Sequence, residues 1–443
     1  MTAKKKNESI WAFRRVERKI FFWSVLAMAI GLFMFWGARP KGRPDIELIS
    51  FLPLLIYAAS LFLLHGLLLL IRFRGDPLVT GVAAILSGTG ILAQSRMGIF
   101  VSGEGVITQY LMFPAGVILM FLMAWLFRKG RFGVLQPLSG FAALLALGIL
   151  AVLLAVGQRY RGTVFGPGGI TPTETLKILI VLFLSGYFSI HLKEIKEDAS
   201  RWRPPLRTLF PLLFYWCLLT GLLVMQRDMG LVVILTLVLL IMLYSASHRP
   251  LYLVYSAVAV AGFGSLVFNY MGHSQRRLIA WLDPFSDPSG AGWQVLQGLS
   301  GMYSGGLFGA GFGAGNPQYI PIAESDFIYA VIGEEMGFIG CLFVVGVYLV
   351  LIYRGLLVAQ RASTPFGAFL ALGLVGVLAV QTFLNIGGVT KLIPITGITL
   401  PLISHGGSSL ITNFTSLGLL MAISEPAPPR KKKKRRGKSA SKK

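Results

Sequence analysis

Acidic residues are scarce in this chain: 18 of its 443 residues are Asp or Glu, against 41 Lys or Arg, and all charged residues together make up 13%. Soluble domains carry roughly 25% charge, so an ordinary soluble globular protein is excluded. Cysteine is nearly absent. Cys217 and Cys341 both fall in apolar stretches, which excludes a disulfide framework and leaves neither thiol in a reactive setting. No Cys/His cluster has the spacing of a zinc site. There is no Walker loop, so coupling to ATP is not indicated. There is no GxSxG nucleophile elbow and no polar stretch long enough for a soluble domain.

Long apolar runs are what the chain has instead. Hydrophobic residues make up 55%, and runs of about 18 or more residues, enough to cross a hydrocarbon core, recur throughout. About twelve spans are expected, near 19–37, 48–71, 78–95, 108–127, 135–157, 175–192, 208–225, 229–247, 250–270, 326–353, 366–388 and 398–423. The expected fold is an all-α polytopic membrane protein. The N-terminus is basic and then apolar like a signal peptide, but its apolar stretch is long and has no small-residue cleavage site. It reads as a retained first span.

Lys and Arg mark the cytoplasmic side. They cluster before the first span (Lys4 to Lys6, Arg14, Arg15, Arg18) and after alternate spans: Arg72 and Arg74, Arg128 to Arg131, Lys193 to Arg207, Arg249, Arg354 and Arg361. This pattern puts both termini in the cytoplasm and the 271–325 loop outside. Arg39, Lys41 and Arg43 break it, so the first hairpin carries the weakest topological signal. The net charge of +23 does not indicate nucleic acid, because ten of the positive charges lie in the tail Arg430 to Lys443. A basic tail beside a membrane attracts anionic lipid at about 1 kcal/mol per charge.

The stretch from Arg276 to Gly337 departs from the pattern of spans. It turns through Pro284 and Pro288, presents Asp283 and Asp287 in a Gly-rich setting, and re-enters an apolar segment carrying Asp326, Glu334 and Glu335. Acids and irregular backbone beside a membrane are costly and mark functional candidates. Asp287, fixed between prolines, suits a general base at an interface, and equally an N-cap. Glu174 and Lys177, three apart on one helix face, form either a structural pair or a phosphate-binding pair. Gln226-Arg227-Asp228-Met229-Gly230 reads as an anion-binding turn or a capped helical hairpin. Pro394 to Gly397, Leu400-Pro401 and Ser404-His405-Gly406-Gly407-Ser408-Ser409 read as close packing or as an interrupted helix lining a site. His405 reads as a packing residue.

Together these blocks resemble the SEDS family (shape, elongation, division and sporulation) of RodA/FtsW type. The resemblance rests on Arg161 with Thr171-Pro172-Thr173-Glu174 and Lys177, on Gln226 to Gly230, and on Asp283-Pro284-Phe285-Ser286-Asp287-Pro288-Ser289-Gly290-Ala291-Gly292-Trp293-Gln294. Ser304 to Gly309, Asp326 to Glu335 and His405 to Ser409 follow in the family's order, over about residues 78–424. The chain departs from the family in its two additional N-terminal spans and at several motif positions. Gly162 replaces Trp, Arg227 replaces Pro, Trp293 and His405 replace Tyr, and Glu324 takes a His position.

The resemblance implies a ten-span core over 78–424 behind an additional hairpin at 19–77, with a basic segment at 1–18 and a basic cytoplasmic tail at 425–443. It implies a peptidoglycan glycosyltransferase that polymerises lipid II, with Asp287 as the catalytic residue. Arg161, Glu174, Lys177, Arg227, Asp228, Gln294, Asp326, Glu335, Ser408 and Ser409 are the expected substrate-binding residues. No cofactor is required by the sequence, and a divalent cation (Mg or Mn) is the one candidate. A class B penicillin-binding protein is the expected partner, and Gly340, Gly346, Gly367, Gly373 and Gly376 would let one more helix approach closely. A flippase for lipid-linked precursors and a non-catalytic scaffold are the alternative readings.

Overall fold

A computed structural model describes residues 9–38, 51–100, 106–160, 163–165, 172–197, 206–252, 254, 258, 262, 272–290 and 292–427. Among these, eleven helices are long and apolar enough to cross a membrane. In chain order the helices are α1 (Ile10–Phe13), α2 (Arg15–Ala38), α3 (Leu52–Leu70), α4 (Pro77–Arg96), α5 (Val106–Phe127), α6 (Ser139–Val156), α7 (Thr173–Glu197), α8 (Leu206–Met225), α9 (Met229–Ser247), α10 (Gly272–Leu282), α11 (Trp293–Gly305), α12 (Ile328–Arg361), α13 (Pro365–Val389) and α14 (Gly407–Ser424). The protein is a multi-pass membrane protein. The expected span near 250–270 falls largely outside the described residues, and so do Arg161 and most of the basic tail.

One exception to the helical architecture follows α6. Gln158–Tyr160 pairs antiparallel with Thr163–Phe165, forming a two-stranded ribbon. The 271–325 loop is more ordered than its glycine content suggests, since it contains α10 and α11.

Ion pairs define one end of the bundle. Arg128 pairs with Glu425 at 3.3 Å, Arg354 pairs with Asp76, and the backbone N–H of Arg74 donates to Glu425 at 3.2 Å. The start of α4 and the ends of α5, α12 and α14 therefore share this basic end. The opposite end, the loop end, carries α10, α11 and the 390–406 segment.

Helix α12 is interrupted, and the reason lies in the preceding Gly-rich segment. Gly337 adopts φ 68° inside the helix, a left-handed conformation suited to glycine. The carbonyls freed at Glu334 and Glu335 accept from the N–H groups of Ala310 and Gly311, at 2.9 and 3.2 Å. In return Phe338 and Ile339 donate to the carbonyls of Gly306 and Leu307, at 2.9 and 3.2 Å. Broken helix is tolerated at membrane depth when other protein groups satisfy its backbone in this way.

The five glycines expected to admit a further helix are mostly used inside the bundle. A Cβ on Gly340 would meet Met336, on Gly367 Phe132, and on Gly373 Val181, each at 2.7 Å or less. A Cβ on Gly376 would make ordinary contact with Val238, and only at Gly346 of the five does it enter open space. The small side chains serve packing within this chain: Gly373 lets α13 approach α7, Gly367 receives the Phe132 ring, and Gly340 leaves room for Met336 of its own broken helix.

Candidate active site

The loop end gathers charged and amide side chains from five separate parts of the chain. Lys177, buried in the first turns of α7, donates to both oxygens of Glu174 at 2.9 and 2.8 Å and to Gln381 Oε1 at 2.9 Å. Gln381 in turn donates to the carbonyl of Thr399 at 2.9 Å. Thr399 Oγ1 and Ser409 Oγ share a hydrogen bond of 3.0 Å. Asn385, one helical turn after Gln381 on α13, donates to the carbonyls of Asp326 and Ile398 at 2.9 and 2.7 Å. A chain of hydrogen bonds thus runs from α7 through α13 to α14.

Arg277 on α10 closes the other side of this cluster. Its Nη1 donates to the carbonyls of Ile395 and Thr396, at 3.3 and 2.9 Å. Gly397, at φ 74°, lies against the guanidinium and Asp326, and a Cβ there would be 3.4 Å from Nη2. Burial lowers the pKa of Arg277, while the negative charges of Asp326 and Asp228 act the other way. Asp228 caps α9, accepting from the Leu231 N–H at 3.0 Å. Burial pushes its carboxyl up, opposed by that hydrogen bond and by Lys177 and Arg277.

Asp287 stands apart in exposure. It occupies the turn after α10, and its side chain is exposed. The turn is built around it: the N–H groups of Gly290 and Gly292 donate to its carbonyl at 3.3 and 3.0 Å. A Cβ on Gly290 would sit 2.2 Å from the Asp287 carboxylate, and one on Gly292 would sit 2.0 Å from the Pro284 carbonyl. Gly290 leaves the space that the carboxylate needs, and Gly292 lets the turn close against its own backbone carbonyls. Asp283 has a different task, since its Oδ1 accepts from the Phe285 N–H at 3.1 Å and its carbonyl accepts from Ser286 Oγ at 2.7 Å. It shapes the turn. Helix α10 ties the turn to the cluster, through Arg277 and through Trp281 Nε1, which donates to the Lys391 carbonyl at 3.0 Å.

The structure brings Glu174, Lys177, Asp228, Asp326 and Ser409 into one cluster, with Ser408 beside Ser409 in the first turn of α14. Arg227 is exposed in the α8–α9 turn at φ 63°, and Gln294 lies in the first turn of α11. Glu335 belongs to a different arrangement. It is 2% exposed, pairs with Arg96 at 2.6 Å and accepts from the Gly313 N–H at 3.0 Å. Arg96 also donates to the Gly315 carbonyl at 2.6 Å, and Glu334 accepts from the Asn316 N–H at 2.8 Å. The paired glutamates therefore brace the Gly-rich segment against the broken helix.

Sequence reasoning missed Arg277, Gln381 and Asn385. The signal for the last two was available: amides spaced i, i+4 inside an otherwise apolar span. His405 is held among backbone groups, its N–H donating to the Glu324 carbonyl at 2.7 Å. Burial lowers its imidazole pKa, with Glu324 acting the other way. Among the described residues, no group of three His, Cys, Asp or Glu side chains is arranged to hold a metal ion.

Comparison with known proteins agrees with this architecture. The family model for FtsW, RodA and SpoVE, described as "Cell cycle protein", matches residues 68–427. The peptidoglycan glycosyltransferase RodA of Mycobacterium tuberculosis is 33% identical over 367 residues, covering 80% of this chain and 78% of that protein. The probable peptidoglycan glycosyltransferase FtsW of Trichlorobacter lovleyi is 34% identical over 290 residues, covering 64% of this chain and 74% of its own. A solved structure described as "Structural coordination of polymerization and crosslinking by a peptidoglycan synthase complex" aligns with TM-score 0.63 and 26% identity, over 79% of this chain and 97% of that one. This chain belongs to the FtsW/RodA/SpoVE family, the SEDS proteins.

Proposed function

We propose that this protein is a peptidoglycan glycosyltransferase that polymerises lipid II. The observation that carries the reading is Asp287, an exposed carboxylate on a turn shaped by prolines and glycines, at the same end of the bundle as the Lys177–Asp228–Arg277 cluster. The curated relatives named peptidoglycan glycosyltransferase support it.

In this reading Asp287 accepts the proton of the acceptor sugar's 4-hydroxyl. The hydroxyl oxygen attacks the anomeric carbon of the lipid-linked donor, and undecaprenyl pyrophosphate leaves with the electron pair of the broken bond. An α-linked donor giving a β-linked strand inverts once, so one base suffices and no carboxylate nucleophile is needed. The cluster supplies positive charge where the pyrophosphate develops negative charge. Exposed Arg227 meets phosphate directly, while Lys177 must exchange a hydrogen bond from Glu174 or Gln381 to do so. Mg or Mn is the cofactor proposal. Such an ion would supply further positive charge opposite the leaving pyrophosphate.

Orientation and partnership belong to the same proposal. The basic end faces the cytoplasm, consistent with Arg74, Arg128 and Arg354 gathered there, and the loop end faces outward. A class B penicillin-binding protein is the proposed partner, because the peptidoglycan synthase complex similar to this chain is described as coordinating polymerisation with crosslinking. The test is to incubate the purified protein with labelled lipid II, alone and with such a partner. Asp287→Asn is expected to reduce glycan formation by roughly 10²-fold or more, the contribution of a positioned base. Wild-type rates in that variant would remove Asp287 from the chemistry.

A further inference from the structure

Most of the additional N-terminal hairpin, α2 with α3, precedes residue 68, where the family match begins. Helix α2 nonetheless lies against α4 through the depth of the bundle. At the basic end Glu17, fully buried, pairs with Arg14, lies 2.7 Å from His65 Nδ1 and accepts from Thr80 Oγ1 at 2.6 Å. Arg14 also donates to the Phe73 carbonyl at 3.2 Å. Further along, Ser24 Oγ shares a hydrogen bond of 2.5 Å with Tyr57 OH, which donates to the Ala84 carbonyl at 2.7 Å. Towards the loop end Gly31 makes room for the Leu92 side chain, which a Cβ there would meet at 2.5 Å. A buried charged group is retained only with its partners in place, so the Glu17 cluster fixes the register of α2 on α4.

That register delivers Phe35, in the last turn of α2, to Arg96, the last residue of α4. The Arg96 guanidinium carbon lies 5.6 Å from the centre of the Phe35 ring. The same ring meets Phe312 edge-on, with centroids 6.4 Å apart and planes at 61° or more, the angle being 77°. Arg96 is the residue that pairs with Glu335 and donates to the Gly315 carbonyl, and Phe312 lies inside the Gly-rich segment that this pair holds. A cation over a ring face gains most where water is kept away, and both side chains of the Arg96–Glu335 pair are 2% exposed. One aromatic side chain from outside the family match thus touches both the buried ion pair and the segment braced on it.

The brace continues to Asp287 through α11. Gly305, the last residue of α11, packs so closely on α12 that a Cβ would collide with the Gly333 and Glu334 carbonyls. At its other end α11 grows out of the Asp287 turn: the Asp287 carbonyl accepts from the Gly292 N–H, and the Gly292 carbonyl accepts from the Leu296 N–H, both at 3.0 Å. The turn therefore has two anchors, α10 through Arg277 and Trp281, and α11 through the brace. We propose that Phe35 is a positioning residue for Asp287, acting through Arg96 and Phe312 on the Gly-rich brace and α11. The proposal deepens the polymerase reading and rests on it. Phe35 touches no reacting atom. It shields the ion pair and pins the segment at Phe312, which keeps the second anchor of the turn rigid. The additional hairpin is then part of the support of the site, with the Glu17 cluster setting where Phe35 lands.

The test uses full-length protein in nanodiscs, read by amide hydrogen exchange and by polymerisation of labelled lipid II. Phe35→Ala should speed exchange at least about tenfold in the Gly-rich segment and the Asp287 turn, the weight of one desolvated cation–ring contact. Exchange in α13 should not change. Turnover per folded molecule should fall by a similar factor while KM for lipid II stays the same, because the Lys177 cluster is not on this path. Phe35→Tyr keeps the ring and should restore both readouts. Met34→Ala, at an exposed neighbour on α2, should alter neither. Phe312→Ala should reproduce Phe35→Ala, and the double variant should be no worse than either single one. Phe35→Leu, which keeps apolar cover but loses the ring, serves if the alanine variant does not fold, and should show the same local pattern. Exchange raised evenly over the bundle would overturn the proposal and make Phe35 an ordinary packing residue. Full turnover with a loosened brace would also overturn it, by separating the brace from Asp287. If the wild type polymerises nothing, the polymerase reading fails, while the exchange pattern still decides whether Phe35 holds the brace and the turn.

Discussion

Lys177 illustrates how burial decides what a charged side chain can do. It is 4% exposed and satisfied by Glu174 and Gln381. Lys177→Met should therefore cost about 3 kcal/mol of stability, because it strands a carboxylate. Adding Glu174→Gln should recover most of that in thermal melts. Polymerisation should stay low in the double variant if Lys177 meets the pyrophosphate, and should recover with stability if its role is structural. Asp228 gives a test in pH. Its folded pKa is raised by burial, so the folded protein holds this proton to higher pH than the unfolded chain, whose value is about 3.9. Stability attributable to Asp228 is present below that unfolded value and is lost as pH rises through the raised folded value. Asp228→Asn keeps the cap on α9 and should melt at or above the wild-type temperature at neutral pH. Asp228→Ala loses the cap and should cost about 1 kcal/mol. A lower melting temperature for Asp228→Asn would show that the ionised carboxylate is net stabilising there.

Among the elements, the broken α12 and the Gly-rich segment are one construction. Gly309 (φ 86°) would place a Cβ 2.1 Å from the Glu335 carbonyl, and Gly337 would place one 2.3 Å from the Gly309 nitrogen. Both backbones sit where L side chains are strained and where no flexible neighbour can yield. Gly309→Ala and Gly337→Ala should each cost more than about 2 kcal/mol. Gly346→Ala on the same helix faces open space and should be neutral or stabilising by up to about 1 kcal/mol. Thermal unfolding of the three variants in one detergent checks the contrast. Equal losses would mean that the segment does not brace the helix.

At the level of the whole molecule, the ion pairs at one end and the loops at the other make a two-sided protein. A cysteine introduced at exposed Ser289 should react with a membrane-impermeant maleimide added to intact spheroplasts. Labelling only after lysis would reverse the proposed orientation and put Asp287 on the wrong side for an outward polymerase. The partner proposal is checked by purification from native membrane in mild detergent, where a single-span transpeptidase should be recovered. Since the space at Gly367 and Gly373 is already filled by Phe132 and Val181, a partner helix must use other lipid-facing surface, of which the open face at Gly346 is one part.

By itself the sequence determined the fold class, most of the spans and the ordered motif blocks. Apolar length and Lys/Arg spacing are properties of each segment, set by the thickness and charge preferences of the membrane. It also singled out Asp287, since an acid between prolines is visible without any neighbour. Only the tertiary structure separated the remaining acids and cations by task. Glu335 went to Arg96 and the Gly-rich brace, and Lys177, besides the Glu174 its spacing already offered, went to Gln381. Arg277, Gln381 and Asn385 emerged as the groups that join α10, α13 and the 395–399 segment. Those roles depend on which helices meet across hundreds of residues. A single polar residue in an apolar run is compatible with several partners, and helix packing chooses among them.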